Sequence, residues 1–274
     1  MKDRTVRILN ILANNKSIKI TLLAELIDVS QATLRKDLDG LEKRGIIQRI
    51  HGYASLEGAD IIGRRLAFDY SIKRKIAKAA AQIVQDGETI MVESGSCCAM
   101  FAEELAHSRK NATIITNSVF LSMYVGKLAG LKIILLGGYY QPDSQVVVGP
   151  MTAKSIESIY LDKFFLGTDG FIPDHGFTGK DYYRAETALA LARHANNIFI
   201  LTEAAKFSQR GVYNLLPFET LDGVFTDDKI PKEAEAILAK NKVQLYKVPA
   251  IDEVIKWRQY PGQPPILYKE KVEN

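Results

Sequence analysis

Seven short apolar runs, at 89–93, 113–117, 132–136, 163–167, 197–203, 223–227 and 243–248, recur along the chain. The segments between them, at about 71–85, 97–107, 118–128, 151–160, 184–195 and 231–240, read as helices. Strands that recur with intervening helices predict a mainly parallel sheet covered on both faces, a Rossmann-like α/β domain. Ligands of such sheets bind at the carboxyl ends of the strands.

Polar and small residues collect at those ends. Glu93-Ser94-Gly95-Ser96 follows the first run, Thr116-Asn117-Ser118 the second and Gly137-Gly138 the third. Gly167-Thr168-Asp169-Gly170 follows the fourth and Glu203-Ala204-Ala205-Lys206 the fifth. Their chemistry suits an anion: small residues let the backbone approach, N–H groups at a helix N-terminus point outward, and Lys206 adds a charge. Taken singly, Gly-Gly or Thr-Asn-Ser is an ordinary turn. Their repeated placement predicts one shared crevice.

The first 56 residues follow another plan. Val6, Ile8, Leu9 and Leu12 behind Asp3 predict a helix over 3–13, residues 17–20 a short strand, and 21–27 a second helix. Asp28-Val29 breaks the pattern, and Ser30 is placed to cap a third helix with Leu34, Leu38 and Leu41 on one face. That leaves Gln31, Thr33, Arg35 and Lys36, with Ser30 at the cap, outside near its N-terminus. Such residues reach base edges and phosphates, and the first turns of a recognition helix enter the major groove. Residues 46–50 and 53–56 predict a hairpin turning at His51-Gly52, a wing from which Arg49 and His51 would meet phosphates.

Charge agrees with this division. Residues 1–53 hold ten Lys and Arg against six Asp and Glu, an excess equal to the net +4 of the whole chain, so the remainder balances. A three-helix bundle with a solvated basic face would share that charge. The ordered run of helix, strand, helix, tight turn, capped helix and hairpin favours a nucleic-acid module.

Residues 57–70 have no clean period, two glycines and the pair Arg64-Arg65. The sequence therefore divides into a winged helix-turn-helix DNA-binding domain at 1–56, a linker at 57–70, an α/β domain at 71–250 and a tail at 251–274, rich in Pro and Tyr, read as a loose terminus.

Residues 23–54, LAELIDVSQATLRKDLDGLEKRGIIQRIHGYA, resemble the signature of DeoR-type bacterial transcriptional regulators. Two departures stand out: Lys36 replaces the usual second arginine, losing its bidentate fork, and Tyr53 replaces the second wing glycine. Further stretches resemble that family's effector domain, among them Lys73-Arg74-Lys75-Ile76-Ala77, Glu93-Ser94-Gly95-Ser96, Thr116-Asn117-Ser118, Leu136-Gly137-Gly138 and Glu203-Ala204-Ala205-Lys206-Phe207. The resemblance implies a fold similar to ribose-5-phosphate isomerase and a phosphorylated sugar effector. Carried over by position, it nominates Ser94, Gly95, Ser96, Thr116, Asn117, Gly138, Glu203, Lys206 and Lys73 as effector-binding, although the helical pattern around Lys73 reads by itself as a solvated face. Glu93 and Glu203 stand where the family usually has aspartate, and Cys97 and Cys98 where hydroxyl residues are common.

No sharper motif competes. GxxxxGK[ST], GxGxxG, HExxH and GxSxG are missing, and histidines 51, 107, 175 and 194 show no ligand spacing, so no metal or cofactor is expected. Adjacent Cys97 and Cys98 match neither a disulfide framework nor CxxC, and read as reduced thiols packed inside. No apolar run nears the roughly 20 residues of a membrane span, and MKDRTVRILN is not a signal peptide. The expectation is a cytoplasmic, sequence-specific DNA-binding regulator of a carbohydrate operon, acting as a repressor on double-stranded operator DNA as a homodimer or larger homo-oligomer. The alternative is a sugar-phosphate isomerase or deaminase with an accessory N-terminal domain. Glu93, Asp169 and Glu203 have the right chemistry for a general base, yet no spacing singles out a catalytic pair.

Overall fold

The computed structural model describes residues 2–15, 17–56, 62–108, 111–126, 128, 131–250, 253–258 and 266–271. The chain forms two compact units, one of residues 1–71 with 251–274 and the other of residues 72–250.

In the first unit, α1 (Lys2–Ala13) begins one residue before the expected cap. It is followed by β1 (Ile18–Lys19), α2 (Ile20–Ile27) and α3 (Gln31–Lys43). Their apolar stripes meet in a core of Ile8, Leu9, Leu12, Leu23, Ile27, Leu34 and Leu38, each nearly inaccessible to water. Asp28 turns left-handed (φ 61°) to end α2, returning its N–H to the carbonyls of Ala24 and Glu25. Ser30 then caps α3 by accepting the Thr33 N–H at 3.1 Å. β2 (Ile47–Ile50) and β3 (Tyr53–Leu56) form the wing, and His51 and Gly52 both adopt positive φ, as a two-residue hairpin turn of the primed type requires. β1 pairs with β3, completing a three-stranded sheet.

Two stretches differ from the sequence reading. The segment 57–70 contains α4 (Ile62–Ala67), with Ile62, Leu66 and Ala67 buried. Six residues are too few to display a helical period, so only packing reveals it. The tail, read as loose, carries an antiparallel strand pair, Glu253–Arg258 with Ile266–Lys271.

The second unit takes in α5 (Tyr70–Gln82) from Ile72 onward and builds a seven-stranded, wholly parallel sheet. Its strands are β4 (Thr89–Val92), β5 (Thr113–Thr116), β6 (Lys132–Leu135), β9 (Leu161–Leu166), β12 (Ala195–Leu201), β14 (Gly223–Asp227) and β15 (Gln244–Val248). All seven coincide with the predicted apolar runs. Helices α6 (Ser96–His107), α7 (Val119–Val125), α8 (Pro150–Ser155), α9 (Tyr182–Ala192) and α10 (Lys232–Lys240) match the helical readings to within a few residues.

Short strands complete the unit. β7 (Tyr139–Gln141) and β8 (Val146–Val148) make a hairpin, and β10 (Gly170–Ile172), β11 (Gly176–Gly179) and β13 (Tyr213–Leu216) a three-stranded antiparallel sheet.

Spatial order in the large sheet is β15-β14-β12-β9-β4-β5-β6. From β4 the chain winds outward to β6, then returns to place β9 on the other side of β4 before winding outward to β15. The direction of winding therefore reverses between β4 and β9, the place in such a sheet where ligands bind.

Candidate functional site

On α3 the buried residues Leu34, Leu38 and Leu41 hold the helix against the unit's core. Ser30, Gln31, Ala32, Arg35 and Lys36 are exposed, and Thr33 is half-buried. The helix also carries Asp37, Asp39 and Glu42, charges that repel DNA, and each is matched to an arginine from another element. Arg4 of α1 forms an ion pair with Asp37, its Nη2 lying 3.0 Å from Oδ1. Arg49 of the wing reaches Asp39 at 2.6 Å and Glu42 at 2.5 Å, and its backbone N–H donates to the same Glu42 at 3.0 Å. These hydrogen bonds hold the Glu42 carboxyl below its ordinary range. Arg49, expected to face phosphate, joins the wing to α3 through these contacts. His51, at the turn, is exposed.

In the second unit the loops after β4 and β9 come together at the winding reversal. Gly95, at φ 141°, sits where an added Cβ would lie 3.9 Å from the Gly167 Cα, and α6 starts at the next residue. The turn Ser94-Gly95-Ser96 thus brings backbone N–H groups to the N-terminus of a twelve-residue helix. That is a suitable seat for an anion.

Two buried ion pairs flank this turn. On one side Lys73 of α5, only 3% exposed, lies 2.8 Å from Oε1 of Glu203, just past β12. The reading of Lys73 as a solvated helix residue is wrong. Four positively charged residues among 73–78 resemble a surface pattern, and the partner that draws this one inward is distant in sequence. The Cys97 thiol approaches the other Glu203 oxygen at 3.5 Å. Burial works to raise the Glu203 carboxyl, but Lys73, by charge and hydrogen bond, outweighs it and holds the group below its ordinary range, with Lys206 adding to the effect. Burial, then the Glu203 charge, push the Cys97 thiol well above its ordinary value. Cys98 is also buried, and both cysteines are reduced.

On the other side stands Arg184, which the sequence reading missed. Asp181 caps α9 by accepting the Arg184 N–H at 2.8 Å, fixing the residue in the first turn of that helix. From there its Nη2 donates to Glu93 Oε1 at 3.2 Å and to Ser94 Oγ at 3.1 Å. The Ser94 hydroxyl donates in turn to Glu93 Oε1 at 2.8 Å. Burial opposes the charge on Arg184, and Glu93 and Asp169 outweigh it. A single arginine in a helix belongs to no motif, so the sequence held no signal for it.

The remaining nominees are engaged in the scaffold. Thr116 donates to the Val92 carbonyl at 2.6 Å and accepts the Ser118 N–H, stitching the end of β5 to β4. Asn117 donates to the Val147 carbonyl at 3.0 Å, securing β8 over the end of β5, while its side-chain oxygen is buried without a partner. Gly138, at φ 153°, has no room for a Cβ, which would fall 2.0 Å from Thr152 Oγ1. Lys206 donates to Gln209 at 2.9 Å beside Glu203. The structure therefore gathers Lys73, Glu93, Ser94, Gly95, Ser96, Cys97, Arg184 and Glu203 around the winding reversal, and gives Thr116, Asn117 and Gly138 a structural task.

Among the described residues no cluster of His, Cys, Asp and Glu is arranged to hold a metal ion. Nor is any helix long and apolar enough to cross a membrane.

Two family models match the sequence: the DeoR-like helix-turn-helix domain over residues 4–58 and the DeoR C terminal sensor domain over residues 69–228. The HTH-type transcriptional regulator GolR of Listeria innocua is 30% identical over 84% of this chain and 92% of its own length. The putative aga operon transcriptional repressor of Escherichia coli O157:H7 is 25% identical over 90% and 93%. The glycerol-3-phosphate regulon repressor of E. coli K12 is 26% identical over 81% and 89%.

Proposed function

Since the chain belongs to the DeoR family of transcriptional regulators and is therefore a DNA-binding regulator and not an enzyme, we propose that it represses a carbohydrate-utilisation operon and is released by a phosphorylated sugar. The observation that supports this most is the pairing of an exposed, capped helix rich in base-reading residues with a separate turn at a helix N-terminus suited to an anion. Arg35, Lys36, Gln31 and Thr33, with Ser30 at the cap, meet the major groove, and His51 approaches a phosphate from the wing. Because one recognition helix reads only a few base pairs, the working form is at least a homodimer on two half-sites. It acts in the cytoplasm, where its DNA lies.

The effector sits at the carboxyl edge of the sheet with its phosphate on the turn Ser94-Gly95-Ser96 and the start of α6. Lys206 and the Lys73–Glu203 pair face its far end. Ser94 contributes backbone, its hydroxyl being committed to Glu93.

A thermal-shift screen of pentose, hexose and polyol phosphates tests the reading, since a ligand that binds only the folded state raises the melting temperature. The expected result is a shift for one phosphorylated compound and none for its unphosphorylated parent, with the same compound releasing a duplex selected from a random library. Turnover of that compound at enzyme-like rates would refute the regulator reading.

A further inference from the structure

Glu93 is an awkward neighbour for an anion. It is 5% exposed, immediately precedes the turn, and its Oε1 lies 2.8 Å from the Ser94 hydroxyl, so an uncompensated carboxylate would repel a phosphate seated there. Arg184 is the side chain that meets this charge, through Nη2 alone, at the long end of charge-assisted hydrogen bonding. Its Nε is buried and makes no hydrogen bond. The guanidinium is thus turned toward Glu93 and Ser94, not laid out as a two-pronged ligand clamp.

We propose that Arg184 is a positioning residue which cancels the Glu93 charge and holds Ser94, so that the adjoining turn accepts a phosphorylated effector without Arg184 itself touching the phosphate. The inference rests on the effector reading above and adds one determinant of affinity at that site: the summed charge of residues 93 and 184, neutral in this protein, against a background that Asp169 and Asp181 supply equally in every variant below. A carboxylate left alone there disfavours a dianion, and a guanidinium left alone favours it. One unit of charge several ångströms away in a partly solvated site corresponds to about tenfold in affinity.

The test is a charge series in the full-length protein, with inorganic phosphate and ribose 5-phosphate as probes, affinities being read from thermal shift and 31P line broadening. Glu93→Gln, with net charge +1, is expected to bind about tenfold more tightly than wild type, and Arg184→Gln, with net charge −1, at least tenfold more weakly. The double variant Glu93→Gln/Arg184→Gln, neutral again, is expected within about threefold of wild type. Should Arg184→Gln not fold, the double variant decides, since it buries no lone charge. A double variant as weak as Arg184→Gln, or an Arg184→Gln variant that binds like wild type, overturns the proposal. Wild-type protein silent to both probes and to the whole panel of pentose, hexose and polyol phosphates would instead remove the phosphate-sensing reading beneath it.

Discussion

Arginine and lysine do opposite work in the two units. In the DNA-binding unit Arg4 and Arg49 are spent on the carboxylates of α3, and Arg35 and Lys36 are left exposed on its outer face. In the sensor unit Lys73 and Arg184 are drawn inward and paired beside the turn that follows β4. The first arrangement keeps charge available to a polyanion in water. The second sets each cation against a carboxylate, Lys73 on Glu203 and Arg184 on Glu93, so that the two pairs leave little net charge beside the turn. An ion pair at the surface contributes little to stability, whereas one taken from water makes its partner costly to remove.

The largest test of this contrast is Lys73→Met. It leaves Glu203 in the interior without its cation and is expected to cost about 3–5 kcal/mol of unfolding free energy in denaturant melts. A loss below about 1 kcal/mol would place the pair with the surface bridges. Acidity sharpens the same experiment. The Glu203 carboxyl is held below its ordinary value of 4.5, so the stability it contributes is present above that pH and is lost as pH falls through and below it. Without Lys73, burial is the largest influence left on Glu203 and raises it against the weaker pull of Lys206, so Lys73→Met is expected to reverse the sign and to gain relative stability on acidification.

Next in size is Arg35→Ala, expected to weaken operator binding by about 1–3 kcal/mol while leaving effector-induced thermal stabilisation unchanged. Loss of both responses would show that the two units do not divide the work. The smallest effects separate Lys36 from Arg49. Lys36→Ala is expected to reduce the salt dependence of operator binding by about 0.9, the loss of one phosphate contact. Arg49→Ala is expected to leave that slope unchanged and to cost under about 1 kcal/mol of stability. A fall in slope for Arg49→Ala would return this residue to the DNA.

The seven parallel strands were legible because buried parallel strands are written as unbroken apolar runs, such as Ile114-Ile115 and Phe164-Phe165-Leu166. The cap at Ser30 and the wing turn at His51-Gly52 were legible because local geometry demands particular residues there. The sheet of β10, β11 and β13 was not, since its strands are three or four residues long and two of them begin on glycine. Nor were the partners of Lys73, Arg49 and Arg184, because a charged side chain shows its destination only when the fold supplies an opposite charge. The turn at Ser94 was visible from one segment of sequence. The two ion pairs that surround it needed four.

The pairing of Ile90 with Lys163 and of Lys73 with Glu203 also has a meaning in time. A ribosome delivers β4 and α5 well before their partners, so the centre of the sensor sheet waits for the late strands while the N-terminal unit, apart from its tail hairpin, has its short-range contacts to hand. A nascent chain of this regulator therefore has the contacts that hold α3 to hand before those that surround the turn after β4.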